Sequence, residues 1–291
     1  MSRVIAIFGA GSGLGTALAR RFGNEGFRVA LIARRADRLQ TVVDELSAQG
    51  VEAAAFPTDL SDPAGARPVV DAIRQRFGRI DVVSYQPLPG GTAFVPAADL
   101  DASRLAPLVN LFLLTPVEIA HAVLPEMTER GDGGFIVTGG FTAADPQPYI
   151  SGIGPAVSAV RNFVYSFNGE VAGSGVYAGV STLAALIKDS ESYAAMAPED
   201  LAAVTGGVTG LHVLDPESRS CPARPPPAGR TTWTAEIHLQ PSNLPATSAL
   251  CATPTRTTPR PTPPRCWTPC RGPRPPTPGR TLSPCRASRR E

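Results

Sequence analysis

The residues Gly9-Ala10-Gly11-Ser12-Gly13-Leu14-Gly15 follow the apolar run Val4 to Phe8, and apolar residues then return at helical spacing with Leu18 and Phe22. A short buried strand that breaks into glycines and restarts as a helix has the form of a phosphate cradle. The first N–H groups of a helix lack intrahelical acceptors and carry the positive end of its dipole, so a diphosphate can bind there without a basic side chain. Glycine lets the anion come close to the main chain. The expected chemistry is capture of a dinucleotide, with Gly9, Gly11, Ser12, Gly13, Leu14 and Gly15 as its contacts.

Strands must alternate with helices to hold such a loop at a sheet edge. Further apolar strands are expected at Phe27 to Ala33, Val51 to Phe56, Ile80 to Ser84, Phe135 to Thr138 and Val176 to Leu183. Between them, Leu39, Val42, Val43 and Leu46 mark one helix face, and Val69, Val70, Ile73 and Phe77 a second, which starts at Asp62 and Pro63. A long helix from Pro107 to Met127 and another carrying Ile153, Val157, Val160, Val164 and Phe167 complete the set. This alternation predicts an α/β fold, a Rossmann-like doubly wound parallel sheet flanked by helices. Its ligand crevice lies beyond the carboxyl ends of the strands, where Arg34-Arg35, Asp59-Leu60, Tyr85 to Gly91, Gly139-Gly140 and Ala184 to Asp189 should gather.

The composition changes sharply along the 291 residues. Residues 1–217 carry 15 Lys or Arg against 23 Asp or Glu, a net of −8, whereas residues 218–291 carry 12 Arg against 2 Glu, a net of +10. All five cysteines and both tryptophans fall in the second piece. Its proline runs have neither helical nor strand periodicity, so the expected organisation is a nucleotide-binding domain over 1–217 and a disordered Arg/Pro/Cys-rich tail over 218–291. The tail's bias, with no lysine, reads as a GC-rich frame translated out of register, a hypothesis that resequencing the coding DNA tests. Cys266 and Cys270 have no second pair at ligand spacing, so no metal site is expected. No apolar stretch reads as a membrane span and no leader precedes the first strand, which makes the cytoplasm the expected compartment.

These residues resemble the short-chain dehydrogenase/reductase family over approximately residues 3 to 190. Gly9, Gly13 and Gly15 match its Gly-x-x-x-Gly-x-Gly turn, with Phe8 where a Thr is usual. Asp59-Leu60 is similar to its adenine-contacting pair, and Asn110 to the Asn that bends the long helix and holds a relay water. Gly175 to Val180 resembles the strand leading to the nicotinamide loop, which implies Ile187 as a further coenzyme contact. Glu170 matches an acid at the end of a helix, where a structural role is implied. The resemblance also implies pairing into a homodimer or homotetramer through the helices Pro107 to Met127 and Gly154 to Ala172, and a small carbonyl or alcohol as substrate.

Coenzyme choice follows from charge. An NAD-selective site places a carboxylate at the end of the second strand to accept from the ribose 2′-hydroxyl, and Ala33 stands there instead. Arg34 and Arg35 follow, suited to charge-assisted bonds with a 2′-phosphate, so NADP is expected over NAD. Asp37 is expected to cap the next helix.

The catalytic pattern departs from the family. The family uses a Tyr and, four residues later, a Lys that lowers the tyrosine pKa, with a Ser on the substrate oxygen. This chain's one lysine is Lys188, and position 184 is Ala. Registering the family's helix near Gly154 puts Ser151 in the tyrosine's place and Pro155 in the lysine's, leaving Tyr149 as a substitute acid beside Asn110. Thr138 offers the nearest hydroxyl to the serine position, and the Asn-Asn-Ala-Gly stretch has become Ser84 to Gly90. His121 reads as a packed or surface histidine. Three readings are therefore weighed: an NADP-dependent oxidoreductase, a dinucleotide-binding pseudoenzyme or scaffold, and nucleic-acid binding through the basic tail.

Overall fold

Alternation of side chains along β1 (Val4–Phe8) decides how the sheet is covered, because Ile5 and Ile7 pack on one face while Val4, Ala6 and Phe8 pack on the other. All five are buried, as expected of a central parallel strand. The computed structural model describes residues 2–88, 95–183, 185–187, 190–194 and 212–214. β2 (Arg28–Ala33), β3 (Ala53–Pro57), β4 (Val82–Tyr85), β5 (Gly133–Gly140) and β6 (Val176–Leu183) join β1 in a parallel sheet of order β3-β2-β1-β4-β5-β6. The order reverses between β1 and β4, which opens a crevice at their carboxyl ends.

Helices α1 (Leu14–Asn24) and α2 (Ala36–Ala48) cover the Ile5 and Ile7 face through Leu18, Phe22, Leu39 and Leu46. The other face is covered by α3 (Ala66–Phe77), α4 (Ala102–Val109), α5 (Thr115–Arg130) and α6 (Ile153–Glu170). Each fully buried Leu or Ile stabilises this packing by about 1.5–3 kcal/mol. Beyond β6, β7 (Ala185–Ile187) pairs in parallel with β8 (His212–Leu214), and Glu191–Ala194 forms the one-turn helix α7.

Several boundaries differ from expectation for identifiable reasons. The long helix begins at Ala102, because the Asp101 carboxylate accepts from the Arg104 N–H and starts it a turn before Pro107. From Ala102 to Arg130 it is long and apolar enough to cross a membrane by composition, contrary to the sequence reading. Its apolar residues Ile119, Val123 and Met127 are instead packed in the core. Asp37 lies inside the first turn of α2, whose N-cap position is Arg35, so it favours the helix dipole rather than capping. Asp62 does cap, accepting from Ala64 N–H at 3.0 Å at the turn before α3. His121 and Glu170 are exposed. The tail from Ser218, Lys188 and Pro89 to Phe94 lie outside the described residues.

At the opposite, amino end of the sheet, the buried Asp81 carboxylate accepts from Val4 N–H at 2.7 Å and from Arg79, with Arg130 at 3.7 Å. It ties the starts of β1 and β4 to the end of α5. Asp81→Asn leaves two guanidinium groups without their shared anion, and we expect a loss of about 3 kcal/mol in urea denaturation of the full chain.

Candidate coenzyme and ligand site

The loops after β1 to β6 enclose a cavity of about 1330 Å³. Gly9, Gly11, Ser12, Gly13, Leu14, Gly15, Arg34, Arg35, Asp59, Leu60 and Ile187 all line it, so the chain folds every coenzyme contact expected from the sequence into one space. Strand order sorts the lining by polarity. Arg34, Arg35, Arg38 and Asp59 lie beyond β2 and β3, the glycines beyond β1, and a largely apolar wall beyond β4 to β6.

The glycine loop is shaped by close approach of main chain to main chain. Gly9 has φ +84°, and a Cβ there would meet Pro87 N at 2.5 Å. A Cβ at Gly15 would meet Ala10 Cα at 2.7 Å. Gly11 differs, since a Cβ there would meet nothing within 4 Å. Its missing side chain leaves room in the cavity for something else. No acidic residue occupies the first turn of α1, so nothing offsets the positive end of its dipole. Below the loop, the Ser84 hydroxyl donates to Gln86 Oε1 at 3.1 Å, while the buried Gln86 Nε2 has no hydrogen-bond partner among the described residues. An anion cradle with open space over Gly11 and an orphaned donor beneath fits a dinucleotide diphosphate.

Toward β3, the Ser61 N–H and hydroxyl donate to Asp59 Oδ1 at 3.0 and 2.8 Å. These bonds hold the Asp59 carboxyl below the usual carboxylate range, with a smaller contribution from the Arg34 charge. Leu60 is buried, and its carbonyl accepts from the Thr115 hydroxyl at 2.8 Å, which fixes this loop to α5.

The expected proton-transfer residues are not brought to the cavity. Tyr149 is 74% exposed, has φ +66° and does not line the space. Asn110 is half-buried at the start of a π-helical segment, Asn110–Leu114, and is absent from the lining, although Leu108, Leu111 and Phe112 around it are present. Ser151 and Pro155 also fail to line it, and Pro155 is exposed. The α6 positions that reach the cavity are Ile153 and Val157, four residues apart on one face, with Ile150 preceding them. Ile153 and Val157 thus have the four-residue spacing of the family's Tyr and Lys and line the cavity, two residues beyond Ser151 and Pro155. In the sequence Ile153 and Val157 belong to the apolar spacing of a core helix, and both are indeed packed in the core while also lining the cavity.

The π segment has a backbone cause. Thr115 N–H bonds to the Asn110 carbonyl, five residues back, and the next position in that pattern is Pro116, which has no N–H for the Leu111 carbonyl. The Tyr85 hydroxyl donates to that carbonyl instead. Tyr85 is 1% exposed, and burial pushes its phenol far above the ordinary range, so it acts as a fixed donor and not as an acid. Sequence reading had assigned this residue only as a departure from the family's Asn pair.

Residues 3–187 match the short chain dehydrogenase family. Sulfoacetaldehyde reductase 2 of Chromohalobacter salexigens is 32% identical over 179 residues, covering 60% of this chain and 69% of that protein. A putative ketoacyl reductase of Streptomyces coelicolor is 39% identical over 135 residues, 45% of this chain and 51% of that one. The L-sorbose reductase of Gluconobacter frateurii, solved with NADPH and L-sorbose, superposes with a TM-score of 0.63 at 25% identity, covering 71% of this chain and 77% of that chain.

Proposed function

Because the chain belongs to the short-chain dehydrogenase family, we propose that it is an NADP(H)-binding oxidoreductase of small carbonyl or alcohol compounds whose proton relay is impaired. The observation that carries the coenzyme reading is the convergence of the glycine loop with Arg34 and Arg35 on one cavity. The α1 amides would hold the diphosphate, Asp59 and Leu60 would flank the adenine, and the two guanidinium groups would grip a 2′-phosphate. Bound coenzyme supplies a hydride to a carbonyl carbon or accepts one from an alcohol. The chain's part is to orient the ligand against it and to exclude water with the apolar wall.

The reading of a dinucleotide-binding pseudoenzyme is favoured by one observation, the aliphatic side chains of Ile153 and Val157 on the α6 face toward the cavity. Neither can move a proton. The cavity hydroxyls of Thr138 and Thr142 are far too weakly acidic to replace a Lys-assisted phenol at neutral pH.

Calorimetric titration of the full chain tests the coenzyme assignment. NADPH is expected to bind at least about tenfold more tightly than NADH. Equal affinities would remove the assignment of Arg34 and Arg35, and no heat with either coenzyme would overturn the function. NADPH oxidation over a carbonyl panel, expected near the buffer rate, separates a slow enzyme from a pseudoenzyme.

A further inference from the structure

Among the described residues, Arg104 is the one cation of the cavity lining that does not lie beyond β2. It stands on α4, where Arg104, Leu108 and Leu111 fall four and then three residues apart, so one stripe of α4 and of the π segment that continues it faces the cavity. The character of the stripe changes along its length. Leu108 and Leu111 are buried, whereas Arg104 is exposed at the end nearer the start of α4. At a rise of 1.5 Å per residue the stripe is about 10 Å long, apolar inside and cationic at its mouth.

The Arg104 guanidinium has no hydrogen bond or ion pair among the described residues. Exposed arginines elsewhere are paired, Arg20 with Glu45 and Arg76 with Glu52, each at 2.8 Å. Two acids precede Arg104. The Asp101 carboxylate accepts from the Ser103 hydroxyl at 2.6 Å and from the Arg104 N–H at 2.9 Å, so it is engaged in starting the helix. Those bonds hold its carboxyl below the usual carboxylate range, with a smaller contribution from the Arg104 charge. Asp99 lines the cavity and forms no ion pair with Arg104. The Ser151 N–H donates to the Val95 carbonyl at 3.1 Å, which ties the segment leading into α4 to the turn before α6. α4 also packs against α6, so Arg104 belongs to the half of the cavity that Ile150, Ile153 and Val157 line. Arg34, Arg35 and Arg38 lie beyond β2, with β1 and β4 between them and β5.

We propose that Arg104 is a specificity-determining residue that holds the anionic end of an amphipathic carbonyl compound, an oxo acid whose carboxylate stays at the mouth while its chain enters along Leu108 and Leu111. A planar guanidinium matches both carboxylate oxygens. The exposed position leaves the anion in contact with water, so its hydration is not lost on binding. The inference deepens the oxidoreductase reading of the same cavity and rests on it for what becomes of the carbonyl.

The test is calorimetric titration of the full chain, with and without saturating NADPH, with 9-oxodecanoate and its methyl ester, a pair that differs in charge at one end; the acid is expected to bind about tenfold more tightly. That advantage is expected to shrink as salt rises. Arg104→Gln is expected to weaken the acid about tenfold while leaving the ester and NADPH affinities unchanged, and Arg104→Lys to recover part of the loss. Asp99→Asn, which keeps the shape of the same segment and removes a negative charge, is expected to hold or strengthen acid binding. Equal affinity for acid and ester, binding of neither, or an undiminished acid affinity in Arg104→Gln each overturn the proposal. A loss in Asp99→Asn as large as that in Arg104→Gln would trace the effect to damage of the segment and overturn it as well. Loss of NADPH affinity in Arg104→Gln would give the cation to the coenzyme, with the same consequence. Acid binding that depends on Arg104 in a chain that binds no NADPH would overturn the coenzyme reading and leave the Arg104 site standing, and NADPH binding with acid and ester equal would do the reverse.

Discussion

Ile153→Tyr with Val157→Lys is expected to give measurable NADPH oxidation with a neutral ketone, at least about a hundredfold above the unmodified chain, because general acid catalysis of this kind contributes roughly that much or more. The geometry behind this expectation is the α6 face. Residues 153 and 157 share one side of the helix and line the cavity, so a phenol and an ammonium four residues apart would both be carried toward the ligand oxygen. The ammonium would lower the pKa of the phenol and bring it closer to neutrality. Val157 is 1% exposed, so a lysine there costs stability in the free protein, and thermal melting with and without NADPH separates misfolding from failed chemistry. Ser151→Tyr with Pro155→Lys is the matched control, since neither residue lines the cavity. Turnover in the control but not in the first pair would show the register to be wrong, and turnover in neither, with folding and coenzyme binding intact, would defeat the account of the missing relay.

Arg34→Ala with Arg35→Ala is expected to weaken NADPH binding about a hundredfold while changing NADH binding less than about threefold. Two charge-assisted bonds to a phosphate support a loss of that order. Both residues are exposed, so the contrast between coenzymes should shrink as salt rises and the pair is screened. Titration of the double variant with both coenzymes at low and at high salt checks this. A parallel loss of NADH affinity would mean that the arginines support the fold of the loop and do not read the phosphate.

Much of this architecture is legible in the amino-acid order because it rests on periodicity. Val4 to Phe8 and Val29 to Ala33 are continuous apolar runs of strand length, as doubly covered parallel strands require, and the glycines after the first of them mark the turn into a helix. The coenzyme half of the cavity follows directly, since main-chain amides and adjacent arginines are fixed by local order. The ligand half is less accessible. Which face of α6 looks inward depends on where that helix lies against the sheet, and an alignment that slips by two residues rotates the face by more than half a turn. Tyr149 looked promising in the chain because it is a phenol near the right place, but its left-handed backbone carries it outward. The Tyr85 bond to Leu111 needed knowledge that Pro116 falls one step after a five-residue backbone bond.

That last arrangement has a bearing on how the ligand chamber could change over evolutionary time. The curvature of its wall is set by an imino acid, not by the aliphatic groups presented to the ligand, so drift at Leu108, Leu111 or Phe112 can alter the chamber's volume without relocating the wall. Selectivity for size is thereby uncoupled from the course of the backbone. A lineage could sample many ligands by exchanging these three side chains while keeping one phenol and one proline constant.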